Sequence, residues 1–235
     1  MKLSIAILFI STIFSYSGYS GLYYDDGLTL NGGYIIVESD EHEKHTGLNI
    51  GFSYLEKQAP SESLDKPTLF QSGILEMSGF YKAYYASYDD GVSTMNLNQK
   101  MGGASLNFHI KNLKFGYNYE SYIGATWDMN GVDQDIEVSG YRQFFSCGIS
   151  HDLVPPSSSS FEKFNMKVFL DLNIASGELE LDLAGIIVDS ESFDNVKAAI
   201  IGIGFQRDNF VIQPSILIPE DDRNKEVSIS LIYKL

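Results

Sequence analysis

The sequence predicts an all-β chain: an antiparallel up-and-down transmembrane β-barrel of about ten strands, with roughly eight to twelve as bounds. Three observations predict it. The chain opens with an export signal, its body alternates apolar and polar residues in twos over long segments, and its connections alternate between two kinds. Composition agrees. With 235 residues, 44% hydrophobic and 13% aromatic, the chain is too apolar for a disordered acidic tail and long enough for one substantial domain. A net charge of -15 argues against nucleic acid as a partner, because affinity there comes from Lys and Arg neutralising phosphates. The single cysteine, Cys147, excludes a disulfide framework and any multi-cysteine metal site.

Met1-Lys2, the apolar run 3–14 and the small polar stretch 15–21 follow the charged, apolar, small-residue order of a secretory signal peptide. The run is about 12 residues, short of the ~20 that a spanning helix needs. Cleavage is expected after Ser17 or Ser20; the later bond makes residues 1–20 the leader and 21–235 a single barrel domain. No cysteine stands near either bond, so no lipid anchor on the new N-terminus is expected.

The strands follow in order. Segment 28–37 fits the alternation with some noise, and in 48–54 Leu48, Ile50, Phe52 and Tyr54 alternate with Asn49, Gly51 and Ser53. Segments 71–87 and 104–111 continue it, with a change of phase near Gly102-Gly103 that suggests a β-bulge. In 113–127 one face reads Leu113, Phe115, Tyr117, Tyr119, Ser121, Ile123, Ala125 and Trp127, suited to hydrocarbon. The other reads Lys114, Gly116, Asn118, Glu120, Tyr122, Gly124 and Thr126. Such a strand runs on the order of 50 Å at ~3.3 Å per residue, beyond the lengths usual in globular sheets. Segment 135–150 has a second phase change near Gly140 to Arg142. Segment 164–175 sets Phe164, Met166, Val168, Leu170, Leu172 and Ile174 against polar or small neighbours. Segments 196–206 and 209–218 are next, and 227–235 ends the chain with Val227, Ile229, Leu231, Tyr233 and Leu235 on one face. The stretch 178–188 also alternates and, with a short strand near 92–99, raises the count to twelve.

Short or Pro/Ser-rich connections fall at 57–69, 111–112, 151–162 and 207–209; charged, mostly acidic ones fall at 38–44, 88–100, 128–134, 176–195 and 219–226. Because the two sets alternate, they lie at opposite ends of a meander, and an even strand number puts both termini at one end. The acidic set carries Asp40, Glu41, Glu43, Asp128, Asp133, Asp135, Glu178, Glu180, Glu191, Glu220, Asp221 and Asp222.

On the signal peptide, the alternating strands and the final VSISLIYKL (227–235), the chain resembles the small bacterial outer-membrane β-barrel proteins as a class. Such proteins end in an alternating strand with an aromatic third from last and another as the last residue, read by the barrel-assembly machinery. Tyr233 fits, and Leu235 stands where the terminal aromatic would be. The resemblance implies a place in the bacterial outer membrane, with outer-membrane lipid, lipopolysaccharide and the assembly machinery as partners; it leaves the oligomeric state open. Tyr23, Tyr24, Tyr81, Tyr84, Tyr85, Tyr88, Trp127 and Tyr233 are then expected in an interfacial girdle. Alternation alone also suits a water-soluble barrel or sandwich with its apolar face inward.

If the Leu113 face meets lipid, Lys114 and Glu120 face the lumen, and the same phase places Glu76, Lys82, Arg142, Lys167, Asp171 and Lys234 there. Buried charges survive when paired or hydrated, and about ten strands leave a lumen that side chains largely fill. A plugged or narrow lumen is therefore expected, preferring cations if open. Catalytic chemistry is not expected, nor a cofactor or a metal. Ser150-His151-Asp152 sits on a strand whose neighbours point to opposite faces. His42 and His45 read as part of a solvated acidic loop. The competing readings are a lipid- or partner-binding barrel, a soluble secreted β-protein, and a barrel-rim hydrolase using His109, His151 or Asp89-Asp90.

Overall fold

The computed structural model describes residues 19–37, 43–58, 73–89, 91–134, 136–154, 164–183, 186–220 and 225–235. His42, Asp40, Glu41, Asp90, Asp135, Asp221, Asp222 and the leader residues 1–18 lie outside them. The strands are β1 (Gly27–Val37), β2 (Glu43–Lys57), β3 (Ile74–Asp89), β4 (Thr94–Ile110), β5 (Leu113–Met129), the three-residue β6 (Val132–Gln134), β7 (Ile136–Val154), β8 (Phe164–Leu183), β9 (Ile186–Arg207), β10 (Phe210–Pro219) and β11 (Glu226–Lys234). The ten long strands pair antiparallel in sequence order, β5 with β7 across the short β6, and β1 pairs with β11, so they close a barrel and β6 only extends the β5 hairpin. Closure leaves no strand edge without hydrogen-bond partners, which is what a hydrocarbon environment demands. No helix among the described residues is long and apolar enough to cross a membrane; the crossing elements are strands.

The faces are inverted relative to a water-soluble barrel. Leu48, Ile50, Phe52, Ile123, Phe145, Leu172 and Ile229 stand on the outer wall, Ile50 with 66% of its surface exposed. Asn31, Asn49, Ser53, Glu76, Lys82, Asn107, Lys114 and Glu120 are buried inside. An apolar outside around a polar inside is the transmembrane pattern, and it sets aside the soluble arrangement with an apolar core. Cys147 belongs to the outer wall, opposite Phe115 and Leu172 on its two neighbours. A charged maleimide should therefore label Cys147 slowly in lipid vesicles and at once after boiling in SDS. Fast labelling in vesicles would put Cys147 in water.

Strand ends differ most from the sequence reading. The acidic connections at 88–100, 128–134 and 176–195 are largely strand, because β4, β5, β8 and β9 run on past the apolar belt. At ~3.3 Å per residue the 22 residues of β9 extend about 70 Å, more than the ~25 Å belt needs even when tilted. There both faces meet water, so polar composition no longer distinguishes strand from loop. The tight turns use residues that tolerate a left-handed backbone: Lys111 (φ 54°) and Asp208 (φ 53°) at one end, Asn130-Gly131 (φ 53° and 78°) at the other.

The expected phase changes fall elsewhere. Inward burial runs unbroken through Gly102-Gly103 on odd positions and through Gly140 to Arg142 on even ones. The break is in β5: Lys100 pairs with Gly124 but Met101 with Tyr122, so Ile123 is an extra residue. Beyond this bulge the faces exchange. Trp127 is buried inside the barrel and Ala125 packs beside it, where uninterrupted alternation puts both on the lipid face. The girdle shrinks accordingly. Tyr81, Tyr85 and Tyr233 are on the outer wall, whereas Tyr24 and Tyr84 are buried and Tyr88 packs against the internal Trp127 cluster. Lys82 shares its even parity with Tyr84 and Tyr88, so inward placement of all three was already implicit in the alternation.

Candidate functional site in the barrel lumen

The buried side chains of the lumen lie in layers, and strands β3 and β5, both rising from the end with the Lys111 and Asp208 turns, give their order. Along β3 come Glu76, Lys82 and then Ala86; along β5 come Lys114, Glu120 and then Trp127. Nearest the tight turns, Lys57 meets Asp25 at 2.7 Å and Lys234 meets Asp26 at 2.9 Å, tying the N-terminal segment to the ends of β2 and β11. The Lys234 ammonium beside Asp26 holds that carboxyl below its ordinary value, chiefly through their hydrogen bond. Lys167 bridges to Asp152 at 3.0 Å at the same mouth. Lys234 and Lys167 thus belong to the rim, the former with 27% of its side chain exposed.

The next layer is a buried carboxylate with three donors. Glu76 accepts from Ser20 N–H at 3.1 Å and from Gly21 N–H at 3.2 Å, and His109 Nε2 lies 2.8 Å from it. Residues Ser20–Leu22 form a single 3-10 turn that lies inside the barrel mouth. Glycine at position 21 leaves the space that the His109 ring occupies, since a Cβ there would crowd His109 Nε2. The Ser20 hydroxyl is 2.8 Å from that of Thr29 and donates to Asn31 Oδ1 at 3.1 Å, and Tyr19 N–H donates to Gln213 Oε1 at 3.2 Å. A cavity of about 580 Å³ opens beside this seat toward the tight-turn end, lined by His109, Ser150, Asn165 and Lys167 among others. His109 Nδ1 has no partner among the described residues.

Deeper in, Lys114 donates to Asp171 at 2.6 Å while its ammonium sits 3.1 Å from the Tyr19 ring centroid. Gly148 makes room for this pair, because any Cβ there would overlap the Asp171 carboxylate. Tyr19 meets Phe169 edge-on at 5.9 Å and packs with Phe144, Ala175, Ala198 and Leu217. Above it Glu120 binds two cations: Lys82 on one oxygen, and Arg142 at 2.9 Å on the other. Lys82 and Arg142 are 1% exposed and Glu120 2%, so none of the three can exchange its partner for bulk water. Phe80 lies against the Lys82 ammonium and Tyr122 against the Arg142 guanidinium, while Glu226 is buried within their electrostatic reach. The farthest layer is apolar: Trp127, Met95, Leu97, Val138 and Ala86.

Of the eight lumen candidates read from the sequence, six (Glu76, Lys82, Lys114, Glu120, Arg142 and Asp171) are buried inside. The structure adds His109, Glu226 and His45, all buried. Their parity with Asn107, Ser228 and Asn49 would have found them; what obscured His45 was its neighbourhood of charged residues. Tyr19 and Ser20, at the predicted leader boundary, were not legible as lumen residues at all. Of Ser150-His151-Asp152, Ser150 is buried inside, His151 is exposed outside and Asp152 engages Lys167, so the three do not converge. Gly202 and Gly204 leave space for the Phe169 ring and the Tyr23 hydroxyl inside the barrel. No group of three or more His, Cys, Asp or Glu among the described residues is placed to hold a metal ion.

No protein-family model matches the chain, and no curated protein matches it in sequence. Solved structures do match in fold. The transport unit of the autotransporter AIDA-I from Escherichia coli superposes with a TM-score of 0.51 at 10% identity, over 99% of this chain and 97% of that one. The beta domain of the Bordetella autotransporter BrkA gives 0.50 at 13% identity, over 90% of this chain and 100% of that one. The likeness extends along nearly the whole barrel. At such identity it is a likeness of architecture, and the architecture is the outer-membrane β-barrel.

Proposed function

We propose that the chain is a sealed, non-enzymatic barrel of the bacterial outer membrane that acts through its projecting hairpins rather than through a pore. The observation that carries this reading is the Lys82–Glu120–Arg142 cluster, buried inside the barrel. Water or an ion crossing there would have to separate charges that hold one another in place, and removing one member of a buried pair costs about 3–5 kcal/mol. The Lys114–Asp171 pair and the Tyr19–Leu22 segment close the lumen a second time below it. Outside the barrel, exposed Glu178 and Glu180 on β8 and Asp133 at the β5 hairpin make the projecting end acidic. Such a surface attracts divalent cations, and through them the anionic lipopolysaccharide that surrounds an outer-membrane barrel. Outer-membrane lipid covers the apolar wall, and the terminal strand, with Tyr233 outward, is what the assembly machinery would read.

Purified protein reconstituted in a planar bilayer tests this. The expected result is a flat trace at 100 mV, from protein whose gel mobility shifts on boiling in SDS. Stable single-channel steps from that same preparation would overturn the sealed lumen and leave the barrel intact. If channels did appear, the acidic rim predicts that they prefer cations.

A further inference from the structure

We propose that the mature chain begins at Gly18, released from residues 1–17 by hydrolysis of the Ser17–Gly18 bond, and that Tyr19 and the residues after it stay seated inside the lumen. The proposal rests on the chain being an exported, closed barrel. Traced toward the N-terminus, the backbone runs inward: Tyr24 packs with Leu55, Val211 and Ile232 near the mouth, Ser20 and Gly21 sit on Glu76, and Tyr19 reaches the Lys114–Asp171 pair. The next layer inward is the Lys82–Glu120–Arg142 cluster. An apolar run such as 3–14 is ill suited to a lumen of paired charges, which favours its removal.

Two bonds have the small residues a leader peptidase requires at the first and third positions before the cut: after Ser17, with Ser15, and after Ser20, with Gly18. The structure separates them. Cutting after Ser20 removes Tyr19 and Ser20, stripping partners from Glu76, Thr29, Asn31 and Gln213 and emptying the space beside Phe169. Polar groups left buried without partners are costly, so a seat matched to these two residues implies that they remain. In the cleavage, one water supplies hydroxyl to the Ser17 carbonyl carbon and a proton to the Gly18 nitrogen, which becomes an ammonium at neutral pH. Residues 19–24 are then a resident plug, left in place by processing.

The test uses the full chain expressed with its own leader and purified from the envelope in mild detergent. Intact mass should give residues 18–235. A water-soluble amine acylator at neutral pH should modify the Gly18 amine at least ~10-fold more slowly than the exposed Lys100 in the folded barrel, and at a comparable rate after boiling. An N-terminus at Gly21, or at any residue other than Gly18, overturns the proposal, as does a Gly18 amine acylated as fast as Lys100 in unboiled protein. The boiling-dependent mobility shift of the same sample separates the two failures. With the shift present, a wrong N-terminus removes only this proposal; without it, the closed barrel falls as well.

Discussion

Glu120→Gln is expected to destabilise the folded barrel by about 3–5 kcal/mol, read as a lower urea midpoint in detergent or lipid vesicles. The reason is asymmetry. The carboxylate holds both Lys82 and Arg142 out of water, and the amide that replaces it is isosteric but uncharged. Two buried cations then face each other without the anion between them. The remaining relief is to admit water, so the variant should also show transient conductance where a sealed parent protein is expected to stay silent. Lys167→Gln is the control, since that side chain sits at the rim with 16% of its surface exposed and its loss should cost about 1 kcal/mol or less. An unchanged midpoint and a silent trace for Glu120→Gln would mean that the cluster neither seals nor stabilises the lumen.

The second large effect lies on the other face. Ile50→Arg, halfway along β2 and 66% exposed on the outer wall, should cost about 2–4 kcal/mol for folding into lipid vesicles, as charge at the bilayer midplane does. On a water-soluble protein the same change at so exposed a residue would be close to neutral or would improve solubility. Asn49→Ala, the inward neighbour, serves as a comparison that disturbs the lumen without touching lipid. A neutral Ile50→Arg in vesicles would show that the outer wall does not meet hydrocarbon, and the transmembrane reading would fail with it.

These two residues also show how far alternation can be read. Ile50 outward and Glu120 inward follow from period two alone, because successive side chains on a strand point to opposite faces. Lumen polarity was legible for the same reason, down to Glu76, Lys82, Lys114, Arg142 and Asp171. Trp127 was not. A single extra residue at Ile123 exchanges every face beyond it, and nothing in the local composition marks a bulge whose neighbours are Tyr122 and Gly124. The ends of β8 and β9 were hidden differently. Above the belt both faces of a strand are wet, so Glu178 and Glu180 read as loop while the backbone ladder continues.

Consecutive residues were enough to specify the kind of object: strands of period two with an apolar and a polar face, too long for a globular sheet, joined in an up-and-down order. Those are properties of each strand alone, written in consecutive residues. Which charge meets which was left to the tertiary structure. Lys82 and Glu120 are 38 residues apart and stand on non-adjacent strands, and Lys114 and Asp171 are separated by 57. Their pairing depends on strand tilt and register around a closed wall, quantities no single segment encodes. The seat of the N-terminal residues on Glu76 and His109 depends further on the barrel being closed before it can exist. Ring closure brings the N-terminal segment, the start of β3 and the end of β4 to one place, and only then does a carboxylate in β3 find the backbone of residues 20 and 21.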